Sequence, residues 1–159
     1  MITLRDMRSD EFPAYRDYFI VDYADEIVAT YGYSLEKSRT IAARALAVDL
    51  PQTTDTSDHS LLCIEEGACE DTVPATIGYL WYKLLDSGET VFILDFVLFE
   101  AFRGQGHGKA ALQVLEQHLP DSGVEEIKLR VAADNRRALG LYERVGFTVT
   151  GYNMVKILE

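Results

Sequence analysis

Residues 103–109 read Arg-Gly-Gln-Gly-His-Gly-Lys, three glycines at alternate positions between two cations. Such a seam offers phosphate-binding chemistry. Backbone N–H groups that open a helix have no intrahelical acceptor, and the helix dipole favours an anion there. Gly104, Gly106 and Gly108 would let a ligand approach the main chain too closely for a side chain. Arg103 and Lys109 add charge at the rim, and Gln105 and His107 stand between the glycines. His107 is expected to point to solvent. A tight turn that holds no ligand is the other reading.

Two familiar phosphate sites do not fit. A P-loop needs GxxxxGK followed by Ser or Thr, whose hydroxyl holds magnesium, whereas GQGHGKA is one residue short and ends in Ala110. A dinucleotide fold needs GxGxxG after its first strand and an acid at the end of the second. Here position 109 is lysine, the seam lies late in the chain, and Glu125 and Glu126 precede the next strand.

Other residues carry chemistry nearby. Asp95 interrupts the apolar run VFILDFVLF, where an unpaired carboxylate would be costly. It is either a base or a buried carboxylate bonded to backbone or a tyrosine. Glu100 follows as a weaker base candidate. Tyr142 lies on an apolar helical stripe, and Asn135 stands where a helix cap belongs.

The elements that must position these residues follow from periodicity. ITLRDM reads as a short strand. A helix from about 10 to 30, capped by Ser9 or Asp10, carries Phe12, Tyr15, Phe19, Tyr23, Ile27 and Val28 on one face. Ser34 caps a second helix that stops before Pro51. SLLCIEE, TIGYLWYKLL and TVFILDFVLF are strand-like runs separated by GACEDTVP and DSGE. The last is continuously apolar enough to be a central strand. A helix with Ala111, Leu112, Leu115 and Leu119 on one side follows the seam and is broken by PDSG. IKLRVAA reads as a strand, NRRALGLYERVG as a helix ending at Gly146, and FTVTGYNMVKIL as one or two strands about Gly151. The fold expected is one α/β domain over 1–159, with a mixed sheet.

Composition narrows the partners. Lys and Arg number 15 against 26 Asp and Glu, a formal charge of −11, which disfavours nucleic acid and anionic membranes. Cys63 and Cys69 have five residues between them and no ligand cluster nearby, so neither a zinc site nor a disulfide framework is expected. No signal-peptide core opens the sequence, and VFILDFVLF is too short to span a bilayer. A cytoplasmic location is expected.

The stretch Arg103-Gly-Gln-Gly106-His-Gly108 resembles the R/Q-x-x-G-x-G/A signature of the GNAT superfamily of N-acetyltransferases. VAADNRRALGLYERVGF resembles that superfamily's second hallmark, with Asn135, Ala138, Tyr142, Gly146 and Phe147 in order. The element order matches too, so the resemblance spans the chain. It implies acetyl-CoA as co-substrate, no metal, and transfer to an amine in a ternary complex. It places the CoA diphosphate on residues 103–109 and pantetheine between two splayed strands, VFILDFVLF and IKLRVAA. Main-chain groups near Phe96 and Leu98 would pair with pantetheine, the Leu98 N–H would meet the thioester oxygen, and Asn135 would contact the pantetheine arm or cap its helix. Tyr142 would protonate the leaving thiolate, or else only pack. A glutamate that serves as base in some members is replaced by Arg130, leaving Asp95 as first choice. The acceptor would lie under the first two helices, among Tyr15, Tyr18, Tyr23, Tyr31, Tyr33, Asp17, Asp22, Asp25 and Glu26, bordered by Tyr152 and Met154; a plain amphipathic helix with a wet acidic face is the other reading of that run. A homodimer is compatible with this reading. A non-catalytic acyl-CoA-binding domain, or transfer of another acyl group, is the alternative.

Overall fold

The computed structural model describes residues 1–67, 73–119 and 123–158. Cys69, most of the GACEDTVP connector and the start of PDSG lie outside the described residues. Residues Met1–Leu129 form one compact unit and Arg130–Glu159 a second.

The first unit holds β1 (Ile2–Asp6), α1 (Phe12–Tyr31), α2 (Leu35–Asp49), β2 (His59–Glu66), β3 (Ala75–Leu85), β4 (Thr90–Leu98), α3 (His107–His118) and β5 (Glu126–Leu129). The strands form one sheet in chain order, β1 to β4 antiparallel and β4 parallel to β5. The α/β class and mixed sheet expected from the sequence are therefore present.

Local chemistry explains the helix ends. Ser34 Oγ accepts from Lys37 N–H at 3.1 Å and so caps α2 as expected. The start of α1 differs from expectation. Ser9–Glu11 form a 3₁₀ turn, neither Ser9 nor Asp10 caps the helix, and α1 begins at Phe12 with Pro13 in its first turn. Glu11 decides this, because its carboxylate takes the Arg8 N–H at 2.9 Å and the Arg5 guanidinium at 2.8 and 3.1 Å. Arg5 beside it holds the Glu11 carboxyl down to about 2. Arg5 also reaches Glu65 at 2.6 Å, so a single guanidinium ties β1, β2 and the entry to α1.

Beneath α1 and α2, the core gathers Met7, Phe12, Tyr15, Leu46, Leu50, Leu61, Cys63 and Trp81, with Tyr18, Phe19, Tyr79 and Leu94 at its edge. Each large side chain buried here stabilises the fold by about 1.5–3 kcal/mol. Leu62, Ile64 and Leu80 alternate with the strand residues of that cluster and face the other way. α3 packs against β1 and β4 and buries Ala111, Leu112 and Leu115, the stripe read from its spacing.

The second unit holds α4 (Arg136–Arg144). The terminal strands expected about Gly151 are not formed: residues 147–158 carry no strand. Their residues suit a strand, but a strand needs a ladder, and none reaches this segment among the described residues. Tyr152 and Met154 on it are 85 % and 93 % exposed. β5 is likewise shorter than IKLRVAA, ending at Leu129.

Candidate active site

β4 carries the centre of the site. Its parallel ladder with β5 runs from Thr90–Glu126 to Ile93–Leu129 and stops, while β4 continues against β3 to Leu98. At the same place β4 bulges. Tyr82 faces Ile93 and Trp81 faces Asp95, which leaves Leu94 as the extra residue. A bulge breaks strand alternation and re-aims the side chains around it. Leu94 packs into the core beneath α1, and Asp95 immediately after it bonds to the same helix. Regular alternation would have sent one of them to the opposite face.

Tyr15 Oη donates to Asp95 Oδ2 at 2.8 Å, and the Phe96 N–H is a second donor to that carboxylate. Burial pushes the Asp95 carboxyl up to about 7, and the negative charges of Asp22 and Glu26 add to this, while both hydrogen bonds pull the other way. Burial also holds the Tyr15 phenol well above its ordinary value, reinforced by Asp95. Tyr18 is raised for the same reason, and its buried hydroxyl completes no hydrogen bond although Asp22 stands near enough to act on it. Asp22 itself is raised, chiefly by burial, against the pull of the Tyr18 hydroxyl and Arg103. Tyr79 closes the group, its ring 5.0 Å from Tyr15 and 5.8 Å from Tyr18.

Tyr15, Tyr18, Asp22 and Glu26, read from the sequence as part of an acceptor rim, thus act on or around Asp95. Tyr31, Tyr33 and Asp17 of that run do not join them. Tyr31 and Tyr33 stack on each other at 5.4 Å with Lys37 Nζ 3.8 Å over Tyr33, and Asp17 is exposed. Helical spacing puts Asp17 on the far side of α1, whereas Asp25, seven residues after Tyr18, lies at the edge of the same side and adds its charge at Asp22.

The glycine seam joins β4 to α3. Gly104 and Gly106 have φ of 76° and 83°, in the left-handed region that favours glycine, and a Cβ on Gly106 would meet open space. The first intrahelical bond of α3 is Ala110 N–H to Gly106 O at 3.1 Å, so the N–H groups of His107, Gly108 and Lys109 precede it. Arg103 Nε donates to the Leu98 carbonyl at 2.8 Å, and Gln105 Nε2 donates to Ala101 O at 3.1 Å. These bonds tie the loop to the end of β4. Lys109 is exposed and Gly108 buried.

His107 departs from expectation. Its side chain is only 15 % exposed, and its Nε2 is buried without a hydrogen bond, 3.8 Å from Glu66 Oε1 at the end of β2. The first turn of α3 carries it inward, toward a carboxylate rather than solvent.

Phe96 and Leu98 face Leu80 and Gly78 of β3. The Phe96 N–H and the Leu98 carbonyl are both engaged within the chain, by Asp95 and Arg103. Sequence reasoning missed Gly78. A Cβ there would lie 2.1 Å from the Val97 carbonyl oxygen, so β3 and β4 close up beside the site only because Gly78 has no side chain. A glycine inside TIGYLWYKLL was the available signal.

In the second unit, Asn135 Oδ1 accepts from Ala138 N–H at 3.1 Å and caps α4. Tyr142 is buried, with its ring edge-on to Phe147 at 5.6 Å. Among the described residues, no group of three His, Cys, Asp or Glu side chains is placed to hold a metal, and no helix is long and apolar enough to cross a membrane.

A family model described as acetyltransferase (GNAT) family matches residues 46–147, which contain both glycine seam and α4. The chain belongs to the GNAT family. It is 30 % identical over 158 residues to the uncharacterized N-acetyltransferase YdgE of Bacillus subtilis, covering 98 % of each chain. To YycN of the same organism it is 31 % identical over 159 residues, 99 % of each chain. The crystal structure of that putative acetyltransferase, YycN, matches this fold with a TM-score of 0.89 at 30 % identity, covering 100 % of this chain and 99 % of that one. The PaiA N-acetyltransferase of Thermoplasma acidophilum, solved with coenzyme A, shares the fold at a TM-score of 0.69 and 18 % identity, covering 96 % and 93 %. The GNAT resemblance read from the two motifs is borne out, and the enzyme is an acetyl-CoA-dependent N-acetyltransferase.

Proposed function

We propose that this GNAT enzyme acetylates a primary amine by direct attack within a ternary complex, as one catalytic domain over 1–159, and that Asp95 is its base. The observation that carries this reading is the Asp95 carboxylate, half-buried and aimed by the bulge at Leu94, which ionises near neutral pH. A base poised near working pH combines a useful ionised fraction with real proton affinity.

Residues 103–109 would hold the CoA diphosphate. The two left-handed glycines and the open space over Gly106 fit such a ligand. Acetyl-CoA supplies the activated thioester. Beyond the ladder with β5, the edge of β4 near Phe96 and Leu98 would take the pantetheine arm once Arg103 gives up the Leu98 carbonyl. The Leu98 N–H would take the developing oxyanion, and Asn135 would contact the arm. In the reaction, the amine nitrogen bonds the acetyl carbon, the C–S bond breaks, the ammonium proton passes to Asp95, and the Tyr142 hydroxyl gives its proton to the thiolate. The phenolate then recovers a proton from water. A cytoplasmic setting suits this chemistry.

An acyl-cysteine route finds little support. Cys63 is buried with Sγ 3.7 Å from Glu11 Oε2, and burial pushes its thiol up to about 11, where little thiolate exists.

The test is initial-rate kinetics of thiol release across a panel of amines, with acetyl-CoA and amine varied together. Intersecting reciprocal plots are expected, with kcat down about 100-fold in Asp95→Asn. Parallel plots would contradict direct attack. A fully active Asp95→Asn enzyme would remove the base assignment.

A further inference from the structure

We propose that Tyr15 is the positioning residue of this acetyltransferase's base: its hydroxyl, fixed on Asp95 Oδ2, holds the carboxylate so that the incoming proton is received on Oδ1. The inference rests on Asp95 being the base.

Three observations carry it. The bond is short, 2.8 Å, and joins residues 80 positions apart on α1 and β4, so it exists only in the assembled fold. Tyr15 is fully buried, and its ring is wedged among Phe12, Tyr18, Phe19 and Tyr79 at centroid distances of 5.0 to 6.3 Å, which leaves the hydroxyl little freedom to turn elsewhere. The bulge at Leu94 turns Asp95 toward that hydroxyl. A hydroxyl donating to one carboxylate oxygen favours carbonyl character there, so a proton arriving from the amine is directed to the other oxygen. The same donor stabilises the ionised form and opposes burial, which would otherwise keep Asp95 protonated and idle.

Among the described residues, the groups that act most strongly on Asp95 come from α1 and β4. From α1 they are Tyr15, Tyr18, Asp22 and Glu26, and from β4 itself the Phe96 N–H. Tyr79 on β3 faces the two tyrosines, and Arg103 acts on Tyr18 and Asp22. Among these, Tyr15 is the side chain that holds Asp95 by a hydrogen bond.

The experiment is a ¹³C NMR titration of the side-chain carboxyl carbons in protein labelled at aspartate, with the Asp95 resonance assigned by its loss in Asp95→Asn. In Tyr15→Phe the midpoint of that resonance should move up by about one pH unit, a tenfold change in proton affinity. The acid limb of kcat against pH should move with it, while the KM for acetyl-CoA stays unchanged. If Tyr15→Phe does not fold, 3-fluorotyrosine at position 15, a stronger donor in the same shape, should move the midpoint down. An Asp95 midpoint that stays in place overturns the inference, as does a loss of turnover equal at every pH. A moved midpoint in an enzyme whose Asp95→Asn variant is fully active would instead overturn the base assignment and leave the hydrogen bond standing.

Discussion

At the scale of single residues, the cost of burying Asp95 is the feature with the clearest consequence. Its carboxyl titrates at about 7 in the folded chain, above the ordinary carboxylate range. The protonated form is therefore favoured by folding. That stabilisation is complete below about pH 4 and is lost as pH rises through 7. Asp95→Asn keeps an oxygen to accept from Tyr15 and carries no charge. It should match the natural protein in urea denaturation at pH 4 and exceed it by on the order of 2–4 kcal/mol at pH 8. Equal stability at both values would mean that the carboxylate is not buried in solution. Asp95 was legible in the sequence as a charge inside an apolar strand, but its partner was not. Tyr15 was read as a member of an apolar stripe and of an acceptor rim, because a bond spanning 80 residues leaves no local signal.

At the scale of elements, periodicity located most helices and strands, and it failed where a neighbour decides the outcome. The stripe of α3 and the cap of α2 depend on residues a few positions apart, and both appeared as read. The bulge at Leu94 depends on how β3 and β4 pair, and the missing terminal strands depend on a ladder partner; neither is written in local spacing. Gly78 is intermediate, a visible glycine whose reason emerges only in the pairing. Because a Cβ there would strike the Val97 carbonyl at 2.1 Å, Gly78→Ala must push β3 and β4 apart. The expected loss is on the order of 2–3 kcal/mol by urea denaturation, at the upper end of ordinary single substitutions. A variant as stable as the natural protein would show that this stretch of sheet gives way easily.

At the scale of the whole molecule, the family was legible because its two hallmarks are local: a glycine seam opening one helix and an Asn-to-Phe run spanning another. What those hallmarks do is a question of where a ligand sits, and the acceptor amine is recognised by surfaces that no short motif records. The account therefore depends most on the seam at residues 103–109, whose left-handed glycines present main-chain donors at the start of α3. Calorimetric titration of coenzyme A into the natural protein and into Gly106→Val tests it most directly. The substitution forces a β-branched residue to φ 83°, costing on the order of 1–2 kcal/mol of local strain, and places a side chain in the open space above the loop. The account predicts binding by the natural protein and an affinity at least tenfold weaker in the variant, with the variant still folded by circular dichroism. Equal affinities, or no heat from the natural protein, would contradict it.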